Sequence, residues 1–470
     1  MSIMKGPPRL CFLPGLGSLR KCTSQAKAPQ PQESKSSKRV QCLDLDPQVK
    51  VAVDTKLFHP RKHPGIMRKK VDEIPNALSH AMEVLTEGRK KSDLSKAADS
   101  LRNQLWGRLL PPEKKDYTEK IKVERMKVLQ AVQDSKLELD HETYEKVEEK
   151  VVTRRLKDII HPWHPLGVSA ETCLQYLLSR TPAEYCILHK VLSEIHMKDP
   201  TFHPNTLFDF GSGVASGYWA AKEVWQKSLK EVYNVDSNVE MNELACKILK
   251  LAKEPFSAES GIFFRQFLPV STDRTYDLVI SAFSLLELPS FKDRMDIVSQ
   301  LWLKTEKYLV LIEDGTNAGY EAIMEARNLV SHLETPDKED EIAEFHVFSP
   351  CPHDFLCPRM INDRTPCNFI ISYRTPKFLE GKQHEKKHMY SYVVLKKAAR
   401  PLSDPQWPRC VRGTLLRPEA VHLQICQSDG TLNNVMLQKK YNSRNAYRCA
   451  KRTLWGDCLP GNIVEQEVDK

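Results

Sequence analysis

Two groups of residues in this chain have the types and spacing that chemistry needs. The first is the run Asp209-Phe210-Gly211-Ser212-Gly213-Val214-Ala215-Ser216-Gly217, which follows the apolar segment Thr206–Phe210 and opens a helical pattern. Glycines there let the backbone turn sharply and approach a ligand with no Cβ in the way. One strand later the segment Glu231–Asp236 ends in a carboxylate suited to accept hydrogen bonds from ribose hydroxyls. A nicotinamide site calls for G-x-G-x-x-G, but position 216 is Ser and the third glycine falls at 217. The D-x-G-x-G form fits an S-adenosylmethionine-type cofactor, which has no pyrophosphate to cradle. Asp209, Gly211, Ser212, Gly213 and Asp236 are therefore the expected cofactor-binding residues.

The second group is a set of cysteines. Cys351 and Cys357 flank Pro352-His353-Asp354-Phe355-Leu356, Cys367 follows Pro366, and Cys426 precedes Gln427-Ser428-Asp429-Gly430. Soft thiolates in fours suit Zn²⁺ or an iron–sulfur cluster. Prolines beside Cys351 and Cys357 stiffen the loop, so less ordering is required on binding. The spacing matches neither a paired C-x-x-C zinc ribbon nor the compact ferredoxin run. On spacing alone Cys449, Cys410 or His353 can replace Cys426 as the fourth ligand.

A catalytic group is harder to find. After the strand Tyr276–Ala282 the chain reads Ser281-Ala282-Phe283-Ser284-Leu285-Leu286-Glu287-Leu288, without the Asn/Asp-Pro-Pro-aromatic run with which amine methylases grip a base nitrogen. Methylation of cytosine at carbon needs a cysteine nucleophile, and none lies between Cys246 and Cys351. Glu287 and Glu313 are the available carboxylate bases, each more often a solvated or helix-capping group. No catalytic residue is assigned. The closely spaced three-cysteine motif of radical enzymes is also missing.

These residues need a scaffold. Segments at 206–210, 231–236, 263–267, 276–282 and 308–312 read as strands alternating with helices, which implies a doubly wound parallel sheet of the class I methyltransferase (Rossmann-like) α/β type. Two later runs, Phe369–Tyr373 and Tyr390–Leu395, are placed to complete it. Spacings of three and four in Ala77, Leu78, Ala81, Met82 and Leu85 make residues 75–160 largely helical, with a further helical region over 168–197. Residues 41–72 read as a loop or extended basic arm. The resulting division is an arm and helical domain over 41–200, a cofactor-binding domain over 201–398 with a Cys-rich insertion at 346–368, and a β-rich basic extension over 399–470 completing a four-cysteine metal site.

Charge adds two expectations. Residues 1–40 hold eight Lys/Arg and one acid, with Ser, Gln and Pro, the composition of a cleavable presequence for the mitochondrial matrix. Thirteen cysteines without secretion features favour free thiols and metal ligands over disulfides. Between Arg374 and Arg452 seventeen Lys/Arg face five acids, with Tyr390, Tyr392, Trp407, Tyr441 and Tyr447 interleaved. Basic side chains with stacking rings are a surface for structured RNA. No apolar run is long enough to span a membrane.

Several boxes together carry a resemblance: Asp209–Gly217, Phe263–Pro269, Ser281–Pro289, Glu313-Asp314-Gly315-Thr316, Pro350-Cys351-Pro352-His353, Tyr447-Arg448-Cys449-Ala450 and Trp455-Gly456-Asp457. From about residue 60 onward the chain resembles the mitochondrial small-ribosomal-subunit methyltransferase-like family. The resemblance implies a matrix protein, monomeric away from the ribosome, bound to the maturing small ribosomal subunit, its rRNA and its proteins. It implies a [4Fe–4S] cluster on Cys351, Cys357, Cys367 and Cys426, ahead of the zinc alternative. The expected function is an assembly factor that binds S-adenosyl-L-methionine without catalysis. The alternative is an active methyltransferase acting on a cytosine of the rRNA.

Overall fold

The computed structural model describes residues 38–68, 71–135, 140–159, 163–167, 169–226, 228–254, 261–271, 273–334, 344–362, 365–380 and 384–468. The presequence expected over residues 1–40 lies outside the described residues except at its last three positions. Gln41–Gln466 forms one compact unit. Outside it, Arg39 and Glu467 pair at 3.6 Å.

The amino-terminal part runs β1 (Lys38–Leu45), α1 (Pro47–Asp54), α2 (Asn76–Leu85), α3 (Lys91–Trp106), α4 (Lys114–Asp134), α5 (His141–Ile159), α6 (Ala170–Ser179) and α7 (Thr181–Lys198). Alternation follows with β2 (Thr206–Phe210), α8 (Ser216–Trp225), β3 (Glu231–Val235), α9 (Val239–Leu251), β4 (Ile262–Arg265), β5 (Tyr276–Ala282), α10 (Phe291–Leu303), β6 (Thr305–Asp314) and α11 (Asn317–Leu333). The rest is β7 (His346–Ser349), α12 (Pro358–Asn362), β8 (Phe369–Arg374), α13 (Lys377–Glu380), β9 (Glu385–Lys396), β10 (Arg409–Cys410), β11 (Leu415–Leu416), β12 (Ala420–Cys426), β13 (Leu432–Gln438), α14 (Arg444–Arg452) and β14 (Gly461–Val468).

The larger sheet has the order β4-β3-β2-β5-β6-β9-β7, with β8 also on β9. Strands β4 to β6 are parallel, as the strand–helix alternation requires. The two late strands expected to complete it do so antiparallel: β8 and β9 form a hairpin, and β9 runs against β6 from Tyr308↔Lys396 to Asp314↔Tyr390. In β6, Leu309, Val310, Leu311 and Ile312 are all fully buried, the signature of a strand covered on both faces. Alternate residues serve alternate cores. Leu207, Leu278, Ile280 and Val310 pack with Leu177, Ile187, Leu192 and Trp219 from α6–α8, while Phe208, Val279, Leu309 and Leu311 pack with Val298, Leu301, Ile323 and Val330 from α10 and α11. Each such aliphatic side chain contributes about 1.5–3 kcal/mol.

Helix α7 is buried without interruption from Thr181 to Ile195. A helix covered all round belongs to the interior, so the helical region is part of the fold and not an appendage. Residues 41–72, expected as a loop or arm, also join the body. There β1 enters a second sheet of order β10-β12-β13-β1-β14, parallel to β13, and α1 packs Val49 and Val53 against Val421, Leu423 and Leu437. The arm reading missed this because β1 finds its partners nearly 400 residues away, beyond any local periodicity. Among the described residues no helix is long and apolar enough to cross a membrane.

Candidate functional site

The glycine loop crosses the carboxyl ends of β2 and β3. Gly211 and Gly213 adopt left-handed backbone at φ 68° and 52°, and a Cβ on Gly211 would stand 2.4 Å from Ser284 Cβ. The Gly211 and Ser212 N–H groups donate to Val235 O at 2.8 and 3.1 Å. Gly213 N–H donates to Asp236 Oδ2 at 2.9 Å, and Asn238 N–H to Asp236 Oδ1 at 2.9 Å. Asp236 is thus oriented from both sides, each oxygen keeping a lone pair for a ligand. Burial raises its carboxyl above the usual range, against the pull of those two N–H groups.

Gly211, Gly213 and Asp236 line a cavity of about 390 Å³ with Met241, Phe267, Leu268 and Phe283. That is within the volume range of small-molecule and cofactor sites. Asp209 and Ser212 are not on its wall but buried behind it. Burial, with Glu184 and Asp236 nearby, holds the Asp209 carboxyl well above its ordinary value. A carboxylate in the wall, with Met241, Phe267, Leu268 and Phe283 beside it, matches the donor and stacking needs of a ribose and an adenine, so the residues present fit S-adenosylmethionine.

Sequence reasoning missed what closes the other side. Arg180, between α6 and α7, makes a bidentate pair with Asp314 at 2.9 and 3.0 Å and lies 3.9 Å over the Phe283 ring. His388 Nε2 sits 2.7 Å from Asp314 Oδ1. Burial alone would raise the Asp314 carboxyl, but Arg180 and His388 outweigh it and hold it below the ordinary value. Tyr176 donates to Glu184 at 3.1 Å, and burial pushes Glu184 up to about 7. Of these polar side chains only Asp314 falls in a box that the sequence singled out, and nothing there joined it to the others. They meet only because α6 and α7 fold over the sheet.

The two candidate bases are both engaged. Glu313 Oε1 accepts from Leu285 N–H at 2.7 Å, and burial with Asp314 beside it pushes its carboxyl up to about 8. Glu287 pairs with Arg108 and accepts from Leu166 N–H at 3.0 Å, while Trp163 Nε1–H donates to Leu286 O at 3.2 Å. The loop after β5 is therefore strapped to the helical region.

Cys351, Cys357, Cys367 and Cys426 line one narrow cavity with Pro350, Pro358, Arg359, Arg409 and Val411. Cys410 and Cys449 are not on it: Cys410 Sγ–H donates to Arg412 O, and Cys449 packs under the second sheet. His353 Nε2 lies 3.2 Å from Cys426 Sγ, and Tyr320 OH donates to Cys357 Sγ at 3.2 Å. Burial pushes Cys351 up to about 11, with Cys357 adding and Arg327 opposing. Among the described residues no set of three or more His, Cys, Asp or Glu side chains is arranged to hold a metal ion. The expected metal site is thus a shared cavity and not an assembled coordination sphere. Its donor chemistry is four thiols with Arg327, Arg359 and Arg409 acting on them, which fits a thiolate-bound group of net negative charge.

The basic extension needs a correction. Tyr390, Tyr392 and Tyr447 are buried core rings, and the Trp407 N–H donates to Asp46. Those three tyrosines are not a stacking platform; of the five expected rings only Trp407 and Tyr441 are half-buried. Arg409 is likewise internal, in a bidentate pair with Glu194 at 2.6 and 2.9 Å. The alternation in β9 that looked like interleaved aromatics is the inward face of a strand.

A parallel sheet of this order with one antiparallel strand inserted next to the edge, and a glycine loop and acid at its first crossover, defines a class I methyltransferase fold. Residues 170–460 match the family described as mitochondrial small ribosomal subunit Rsm22, and the chain belongs to that family. It is 36% identical over 403 residues to the human protein named ribosome assembly protein METTL17, mitochondrial, covering 85% of each chain. It is also 28% identical over 331 residues to Rsm22-cox11 tandem protein 2, mitochondrial, of Schizosaccharomyces pombe, a match that covers 61% of this chain and 43% of that one. Among solved structures it is similar to magnesium protoporphyrin IX methyltransferase of Synechocystis PCC 6803 with bound SAM (TM-score 0.30, 11% identity, 52% of this chain and 90% of that one). A second is a SAM-dependent methyltransferase from Aquifex aeolicus (TM-score 0.27, 14% identity, 49% and 100%). At TM-scores this low the fold assignment rests on strand order.

Proposed function

We propose that this protein is an assembly factor of the mitochondrial small ribosomal subunit, working in the matrix, that binds rRNA and holds S-adenosylmethionine without transferring its methyl group. Family membership and the name of the human relative support the ribosomal role. Gly211, Gly213 and Asp236 would hold the cofactor, which supplies an electrophilic methyl group when bound. The observation that carries the non-catalytic reading is that every carboxyl on the acceptor side of the cavity is already engaged. Asp314 pairs with Arg180, Glu287 pairs with Arg108, and Glu313 accepts from the Leu285 N–H, so none is free to act as a base. The four-cysteine cavity would hold a [4Fe–4S] cluster, with zinc as the competing occupant; its role would be to join the insertion to the second sheet.

The test has three parts. Wild-type protein should bind S-adenosylmethionine in calorimetric titration, and Gly211→Arg with Asp236→Ala should not. Purified wild type given tritiated cofactor and small-subunit rRNA should leave the RNA unlabelled. Protein isolated without oxygen should contain iron and acid-labile sulfide. Labelled rRNA would overturn the non-catalytic reading in favour of a methyltransferase, and zinc without iron would reassign the cysteines.

A further inference from the structure

The turn Pro60–Lys62 and the strip that follows it face the carboxyl-terminal end of α14 across an open hollow of about 420 Å³. Its walls are Arg61, Lys62, His63, Ile66, Arg68 and Arg452. Four of these six are cations. Arg68 is satisfied within the protein: its guanidinium pairs with the buried Asp457 carboxylate at 2.9 Å and donates to Arg452 O at 2.8 Å. Arg61, Lys62 and Arg452 are exposed and have no carboxylate partner among the described residues. By contrast Arg400 and Arg409 in the same extension are each paired with acids.

The strip is held rigidly. Cys458 N–H donates to Gly65 O at 2.7 Å, Met67 N–H donates to Asp457 Oδ1 at 3.0 Å, and the Arg61 N–H is capped by His59 Nδ1 at 3.1 Å. A Cβ at Gly65 would stand 2.2 Å from Cys458 O, so only glycine permits this approach. The loop therefore uses its hydrogen bonds to hold three like charges around one concavity, which costs energy unless an anion enters. Arg444, Arg448 and Lys451 continue the positive charge along the outward side of α14, whose inward side buries Ala446, Tyr447, Cys449 and Ala450. A hollow alone would suit any phosphate; a hollow with a helical track of cations suits a chain of them.

We infer that the hollow between Pro60–Lys62 and α14 is a clamp for the phosphodiester backbone of RNA, gripping it through Arg61, Lys62 and Arg452. This rests on the rRNA-binding reading above and says where the grip is. Guanidinium forks recognise phosphate oxygens in pairs, which fixes the strand's path without reading its sequence.

The test is the salt dependence of binding to a fluorescein-labelled single-stranded RNA of mixed sequence. Each phosphate contact on single strands adds about 0.7 to the slope of log affinity against log salt. Removing three, as Arg61→Ala/Lys62→Ala/Arg452→Ala, should lower that slope by about 2 with an unchanged melting temperature. Arg61→Lys/Arg452→Lys should keep it. An unchanged slope in the triple variant, with wild type binding normally, overturns the clamp and leaves rRNA binding standing. Wild type that does not bind RNA overturns both. Inorganic phosphate at matched ionic strength should not displace the RNA; displacement would make this a site for isolated anions and sink the clamp.

Discussion

A Cβ at Gly217 would stand 2.3 Å from Asp209 Oδ2, so Gly217→Ala must move either α8 or the carboxylate behind the cofactor cavity. Overpacking of this kind costs about 1–3 kcal/mol. The expected result is lower stability in urea denaturation together with weaker S-adenosylmethionine binding. Glu313 gives a pH signature. Its carboxyl is pushed up to about 8 in the folded protein against an ordinary value near 4.5. Between those values the native state keeps a proton that the unfolded chain has lost, so this group's contribution is full below the unfolded value and disappears as pH rises through 8. Glu313→Gln keeps an acceptor for the Leu285 N–H and removes the titration. Its melting temperature should therefore fall less than that of wild type between about pH 5 and 8, and a parallel decline in both proteins would refute the assignment.

At the scale of elements, α7 is tied to the second sheet by one buried pair. Arg409 meets Glu194 with both nitrogens, and Tyr392 OH and Ser349 OH complete the cluster. Breaking such a pair from one side strands a buried charge at a cost of about 3–5 kcal/mol. Arg409→Met should show a loss of that size by chemical denaturation, and Arg409→Met with Glu194→Leu should recover much of it. The same region shows what the amino-acid string can disclose. The strands at 206–210 and 276–282 match β2 and β5 residue for residue, because a continuous apolar run between turn signals is local information. The glycine loop and Asp236 are local too, and three of the five cofactor residues read from them reach the cavity wall. Asp314 stands in one of the boxes that carry the resemblance, but its contacts with Arg180 and His388 were invisible because the three lie more than seventy residues apart and no spacing rule joins them. The tyrosines of β9 misled for the opposite reason: burial, and not partner contact, accounts for their alternation.

For the whole molecule, the four thiols join residues from Cys351 to Cys426 across two sheets. Cys426→Ser should lower the iron content of anaerobically purified protein and open the 399–468 region to limited proteolysis, while the β2–β6 core stays protected. Iron-free wild type with an unaltered digestion pattern would show that the cavity needs no occupant. The proposed grip on RNA should also be mainly electrostatic, since three of the five expected stacking rings, Tyr390, Tyr392 and Tyr447, are internal. If about 6–10 phosphates are held in all, affinity falls by about 10³–10⁵ between roughly 50 and 200 mM salt. A response flat over that range would exclude an RNA partner on this surface.

Strand β1 lies between β13 and β14, so a segment made early is an interior plank of a sheet whose other strands all come after residue 408. That sheet stays incomplete until β14 has been synthesised, so the early segment waits unpaired until the late strands are made. A proteolytic cut anywhere within Lys38–Leu45 would take out part of the plank and bare the edges of β13 and β14 that face it.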